Sequence, residues 1–106
     1  MTDWMRACRA DELEPDYGEA VLLDGEPIAL VLTDGVVYAV GHRDPTSGAP
    51  VMARGIVGSR GDRPTLASPL HKEIYDLRTG ECLSTDAPRL PTYPVRIADG
   101  WVEVSM

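Results

Sequence analysis

Four side chains in this sequence are of the types that hold soft metals or act as nucleophiles and bases: Cys8, His42, His71 and Cys82. Two thiols and two imidazoles would suffice by number for one metal centre, but a locally encoded centre brings its ligands in close pairs such as Cys-x-His or Cys-x2-His. No such pair is present, so the spacing encodes neither an iron–sulfur centre nor a zinc knuckle, and no metal site is expected. His71 has the residue type for acid–base work, provided that a carboxylate orients it and a pocket adjoins it. Asp44 would supply that carboxylate if the two surrounding loops face one another. Catalysis, a loop-to-loop hydrogen bond and a partner contact are all open to His71, whereas His42, beside Arg43 and Asp44, reads as a surface or capping side chain. One loop histidine defines no Ser/His/Asp set. Gly55, Gly58 and Gly61 do not lie between a strand and a helix, so they make no phosphate cradle.

The elements that must position these groups are strands. Trp4 to Cys8 alternates bulky and polar residues, and the following segment allows at most one helical turn before Pro15. Cys8 reads as strand packing. Glu19–Leu23, Pro27–Thr33 and Val36–Val40 are β-rich runs separated by Asp24-Gly25 and Asp34-Gly35, pairs that accept the positive φ of a type I′ turn. Glu26-Pro27 after the first pair predicts a looser turn there. Residues 41–55 are loop-rich, with Met52 expected to plug a small second core. Ile56–Gly58 reads as a short strand and 59–63 as a mobile tip. Arg54, Arg60 and Arg63 form the one dense basic patch, open to solvent or to a partner. Three prolines between residues 88 and 94 enforce an extended connection. Val95–Ile97, Asp99-Gly100 and Trp101–Val104 make a closing hairpin. Strands recurring every 8 to 12 residues without a convincing helix argue for an all-β sandwich or barrel.

Composition sets the outer bounds. The 106 residues suit one domain, and 43% hydrophobic with 25% charged residues is ordinary for a folded globular chain. The net charge of −7 is confined to residues 1–35, where nine acids face only Arg6 and Arg9, and residues 36–106 carry eight of each sign. That acidic region is either a solvated face or an edge that steers the chain to a basic partner. Nucleic-acid binding is disfavoured, because phosphate contacts need clustered positive charge. The start lacks a basic segment followed by an apolar core, and no apolar run approaches the roughly 20 residues of a membrane span. No membrane partner is therefore expected, and a cytoplasmic location with reduced thiols is.

The stretch from Pro64 to Leu83 reads strand, loop, strand, turn, with Ser68 to Lys72 as its exposed part. It resembles the second cluster-binding loop of Rieske-type ferredoxin domains, Cys-Pro-x-His-Gly followed by an aromatic residue and Asp-Leu-x-Thr-Gly-Glu, with Ser68 at the cysteine position. Asp44 to Pro50 resembles the first loop, Cys-x-His-x-Gly-Ala-Pro, with Asp44 for the cysteine and Thr46 for the histidine. Of the four positions Asp44, Thr46, Ser68 and His71, only His71 keeps a ligand. Arg54–Asp62, the Ser-Pro-Leu-His-Lys loop and Leu90–Arg96 together resemble the small subunit of assimilatory NADH-dependent nitrite reductase, over about residues 4 to 104.

That resemblance implies a Rieske-like antiparallel β-sandwich, one domain over 1–106, with an inserted β subdomain at 41–83 carrying two vestigial cluster loops. It further implies a noncatalytic subunit that docks on a large nitrite reductase subunit and supports reduction of nitrite to ammonia. Flavin, sirohaem and iron–sulfur centres would belong to that large chain, and none to this one. The loop tips (Pro45, Ser47, Pro69, Leu70 and Lys72), with Arg54 and Arg60, are the expected partner contacts. Without iron, Asp44, Thr46 and Ser68 would hold the loops by hydrogen bonds of about 1 kcal/mol each. The rival readings are an electron-carrying ferredoxin using Cys8, His42, His71 and Cys82, and a binding module of another oxidoreductase.

Overall fold

A computed structural model describes residues 3–106; Met1 and Thr2, which open the start read above, lie outside the described residues. The strands are β1 (Trp4–Arg9), β2 (Gly18–Leu23), β3 (Glu26–Thr33), β4 (Val36–Gly41), β5 (Ile56–Arg60), β6 (Arg63–Ala67), β7 (Ile74–Asp76), β8 (Thr92–Tyr93), β9 (Val95–Ala98) and β10 (Trp101–Ser105). They form three antiparallel sheets, in the orders β1-β10-β9, β2-β3-β4-β8 and β5-β6-β7. Both ends of the chain thus meet in the first sheet. The small third sheet is made by the chain between β4 and β8. Two 3₁₀ turns, Ala10–Glu12 and Met52–Arg54, complete the regular structure, and no helix among the described residues is long and apolar enough to cross a membrane.

The turns follow from backbone chemistry. Asp24-Gly25 and Asp34-Gly35 have φ of 51° and 79°, and 50° and 75°, so both hairpins use the same left-handed pair. The looser first turn expected from Glu26-Pro27 is not formed: Pro27 pairs opposite Leu22 within the ladder. The expected tip at 59–63 is likewise ordered as hairpin. Ser59 and Arg60 pair with Pro64 and Arg63, and only Gly61-Asp62 turn, with Gly61 at φ 61°.

β3 explains where the core sits. Its central run Ile28-Ala29-Leu30-Val31 is wholly buried because the strand is covered on both faces. Ile28 and Leu30 join Leu13, Leu23, Ala39, Val102 and Val104. Ala29 and Val31 join Val40, Met52, Leu66, Tyr75, Leu77 and Leu90. Met52 fills the second of these clusters, as expected of it. It fixes the third sheet to the second, and its full burial contributes about 2 kcal/mol. Gly18 allows that docking, since a Cβ there would lie 2.1 Å from the Ala53 carbonyl oxygen. Cys8 packs beside the first of these clusters, as its strand position predicts.

Candidate functional site

The two loops that carry Asp44 and Ser68 are built alike. In the first, Gly48 N–H donates to the Asp44 carbonyl at 2.7 Å, and Gly48 sits at φ 78°. In the second, Lys72 N–H donates to the Ser68 carbonyl at 3.0 Å, and Lys72 sits at φ 61°. Lys72 occupies the glycine position of the loop pattern quoted above. It keeps a left-handed backbone at a cost of about 1 kcal/mol for an L side chain.

The loops face one another, and oxygen atoms join them. The Ser68 hydroxyl donates a hydrogen bond to Asp44 Oδ2, and the Thr46 hydroxyl donates to Glu73 Oε2 at 3.2 Å. Asp44 Oδ1 accepts from Thr46 N–H at 2.7 Å and Ser47 N–H at 3.2 Å, which folds the first loop around its own carboxylate. Leu70 N–H donates to Ser68 Oγ at 3.3 Å. Asp44 is 0% and Ser68 1% exposed, so the expected exposure of the whole 68–72 segment holds only from Pro69 onward. Ser68 faces inward because its hydroxyl has the buried carboxylate as partner.

Burial by itself would raise the Asp44 pKa; the hydrogen bonds from Ser68, Thr46 and Ser47, with the nearby His71, outweigh it and hold the carboxyl below its ordinary 3.8. Asp44 thus stays ionised with no salt bridge among the described residues. Beneath the junction lies Tyr75, 0% exposed, its phenol pushed up to about 12 chiefly by burial and then by Cys82, Glu73 and Asp44. Neither Tyr75 Oη nor Glu73 Oε1 has a hydrogen-bond partner among the described residues, although the Thr46 hydroxyl is close enough to the phenol to oppose its shift.

The other expected positions separate. His71 is exposed at the rim, and the loop-to-loop hydrogen bonds open to it are made by Ser68 and Thr46 instead. His42 is buried rather than superficial: its Nδ1 accepts Ala53 N–H at 3.0 Å, capping the 3₁₀ turn. Desolvation, then Arg54 and Arg43, lower its pKa below 6.5 and keep it the neutral acceptor that this bond requires. Pro69, Leu70, Lys72 and Ser47 are exposed at the tip, with Pro45 half-buried. Arg54, Arg60 and Arg63 do not form one patch: Arg60 and Arg63 pair across the β5–β6 turn, whereas Arg54, in the 3₁₀ turn before β5, lies beyond the other end of that strand. Arg60 donates to the Leu83 carbonyl, and Arg63 lies beside Asp76 and Glu81. Sequence reasoning passed over Glu73 and Tyr75; the alternation of Tyr75 with Asp76 in a short strand was the available signal for an inward phenol.

A two-iron centre of the Rieske type requires two thiolates and two imidazoles. The junction supplies a carboxylate and hydroxyls already bonded to each other, and so does not fit that group. Both cysteines are free thiols elsewhere, and among the described residues no three His, Cys, Asp or Glu side chains converge as a metal site. The Cys82 thiol is lowered because hydrogen bonds from Thr85 and Ser84 outweigh burial.

These two loops, one between β4 and β5 and one between β6 and β7, beside a small three-stranded sheet packed on a three- and a four-stranded sheet, define a Rieske-like architecture, and a model of the Rieske-like [2Fe-2S] domain matches residues 3–105: the chain belongs to that family. Within it, its relatives include small subunits of NADH-dependent nitrite reductase. The crystal structure of a Mycobacterium tuberculosis protein assigned as such a subunit is 44% identical, superposes with a TM-score of 0.94, and is covered over 96% by 100% of this chain. The nitrite reductase (NADH) small subunit of Salmonella typhimurium is 29% identical over 98% of both chains. The nitrite reductase [NAD(P)H] large subunit of Klebsiella oxytoca is 32% identical over 95% of this chain, a match that spans 11% of that longer protein.

Proposed function

We propose that this chain is a noncatalytic small subunit that docks on the large subunit of a cytoplasmic NAD(P)H-dependent nitrite reductase and supports nitrite reduction to ammonia in nitrate assimilation. The observation that carries the reading is the Asp44–Ser68 bond. It joins the two loop tips with oxygen atoms in a chain whose relatives are nitrite reductase small subunits. Asp44, Thr46, Ser68 and His71 are, in this reading, the vestigial cluster positions of an inserted subdomain over 41–83 in a single domain. The chain then contributes surface, while flavin, sirohaem and iron–sulfur centres lie in the large subunit. The similar segment within the Klebsiella large subunit supports close association of the two parts. Pro45, Ser47, Pro69, Leu70 and Lys72, with Arg54 and Arg60, are the proposed contacts.

The test is capture of the tagged chain from its own cells, with the co-purifying protein assayed for NADH-dependent nitrite reduction with and without this chain. A large sirohaem protein whose activity falls when the chain is removed is expected. Bound iron and sulfide in the purified chain, nitrite turnover by the chain alone, or a different oxidoreductase as partner would overturn the reading.

A further inference from the structure

The small third sheet has two edges of different kinds. At β7 the edge is closed by the chain that follows: Asp76 N–H donates to the Glu81 carbonyl at 2.9 Å and Leu83 N–H to the Ile74 carbonyl at 2.7 Å. At β5 the edge is open. Pro64, opposite Ser59, has no N–H, and its carbonyl accepts Leu77 N–H at 2.9 Å on the β7 side. The Ser59–Pro64 pair is therefore a non-hydrogen-bonded one, and the N–H and C=O of Ser59, and of Val57 two residues earlier, point away from β6. No described residue pairs with them. Ile56 to Ser59 carries neither proline nor charge, the guards that natural edge strands commonly display.

Beside this edge lies a cleft of about 410 Å³, walled by Val57, Gly58 and Ser59 on one side and by Thr33, Asp34 and Tyr38 on the other. Asp16, Asp34 and Asp62 line it, and none of the three is in a salt bridge among the described residues. Its one cation, Arg78, is held by Asp76 at 3.6 Å. The edge also reaches the loop tip, because Ile56, 71% exposed, pairs opposite Ala67 at the start of the 68–72 loop.

We infer that the open edge of β5 receives an extended, lysine- or arginine-bearing segment of the large subunit as a fourth strand of the small sheet; this rests on the subunit reading above. Main-chain hydrogen bonds to Val57 and Ser59 supply the pairing, and the three unpaired carboxylates select a basic segment over an acidic one. The acidic bias of residues 1–35, which include Asp16 and Asp34, is in this view part of the docking surface.

Hydrogen exchange on the full chain, free and in complex with its own large subunit, tests the inference. The Val57 and Ser59 amides should slow by about tenfold or more in the complex. Ser59→Pro removes only an outward N–H, so it should leave the isolated fold intact and weaken the complex about tenfold. Asp16→Asn, Asp34→Asn and Asp62→Asn combined keep residues tolerant of left-handed turns; they should weaken binding at low salt by a similar factor and flatten its salt dependence. A complex that forms with these amides unprotected and protection only at 44–50 and 68–72 would overturn the strand addition while leaving the subunit reading intact. Failure to form any complex would overturn both.

Discussion

Two carboxylates in this molecule are almost equally buried and are satisfied in opposite ways. Asp44, between the loops, has only neutral donors: one hydroxyl and two backbone N–H groups. Glu103, on central β10, stands opposite Arg6 of β1 and Arg96 of β9, and is bonded to Arg96 at 2.7 Å with Arg6 at 3.7 Å. The arginines there also cover the indoles, Arg6 and Arg9 over Trp101 and Arg96 over Trp4, at 4.4–5.5 Å. The closing sheet is thus held by exposed, redundant charge on a well-packed base. The loop junction is held by a few desolvated bonds with no substitute nearby. Removing one group should matter far more in the second place than in the first.

The largest effect is expected at Asp44. Asp44→Ala leaves the Ser68 hydroxyl and two N–H groups without their acceptor and should cost about 3 kcal/mol in urea unfolding, with faster hydrogen exchange over 44–50 and 68–73. Asp44→Asn keeps the acceptor oxygen for the Thr46 and Ser47 N–H groups but puts an amide NH2 where Oδ2 accepts from Ser68, so that bond must reverse its direction; it should cost about 1 kcal/mol, less than Asp44→Ala. Acid separates the two. Because the folded-state pKa lies below 3.8, the stability contributed by the ionised carboxylate is fully present above 3.8 and is lost as pH falls through the folded value. The parent chain should lose more stability below pH 3.8 than Asp44→Asn does. Equal acid profiles would mean that the carboxylate is not what closes the loops.

A smaller effect of opposite sign is expected beneath the same junction. Tyr75 buries a hydroxyl that completes no hydrogen bond among the described residues, so Tyr75→Phe should stabilise the chain by about 1 kcal/mol in the same assay. A loss instead would show that the phenol is bonded in solution, and the junction would then be a larger polar network than Asp44, Ser68, Thr46 and Glu73.

The contrast also explains what was legible in the sequence. The hairpins at Asp24-Gly25, Asp34-Gly35 and Asp99-Gly100 could be read because each is decided by two adjacent residues and the strands beside them. The loop pattern placed Asp44, Thr46 and Ser68 together, but the inward direction of Asp44 and Ser68 depends on a bond across 24 residues, which no local rule specifies. His42 was read from its polar neighbours and is buried by a turn 11 residues away. Arg54, Arg60 and Arg63 looked like one patch because they are close in sequence, yet β5 carries Arg54 away from the cross-strand pair Arg60 and Arg63. The acidic excess of residues 1–35 was plain by count. That Arg6 and Arg9 are already engaged with the outer face of β10, and so leave the acids near β5 unpaired, requires the register of β1 on β10.

The smallest effect should come from that register. Arg6 is half exposed, and it shares Glu103 with the better-placed Arg96 and Trp101 with Arg9. Arg6→Gln should therefore cost about 0.5 kcal/mol in low salt and less in 1 M salt, where exposed charges are screened. Arg96→Gln removes the short bond to the same carboxylate and should cost more, because Arg6 at 3.7 Å cannot replace its geometry. If Arg6→Gln proved as costly as Asp44→Ala, charge on the closing sheet would not be redundant, and the distinction between the two regions would fail. If both arginine variants were mild and only the Asp44 variants severe, the loops would be the place where this fold depends on single side chains.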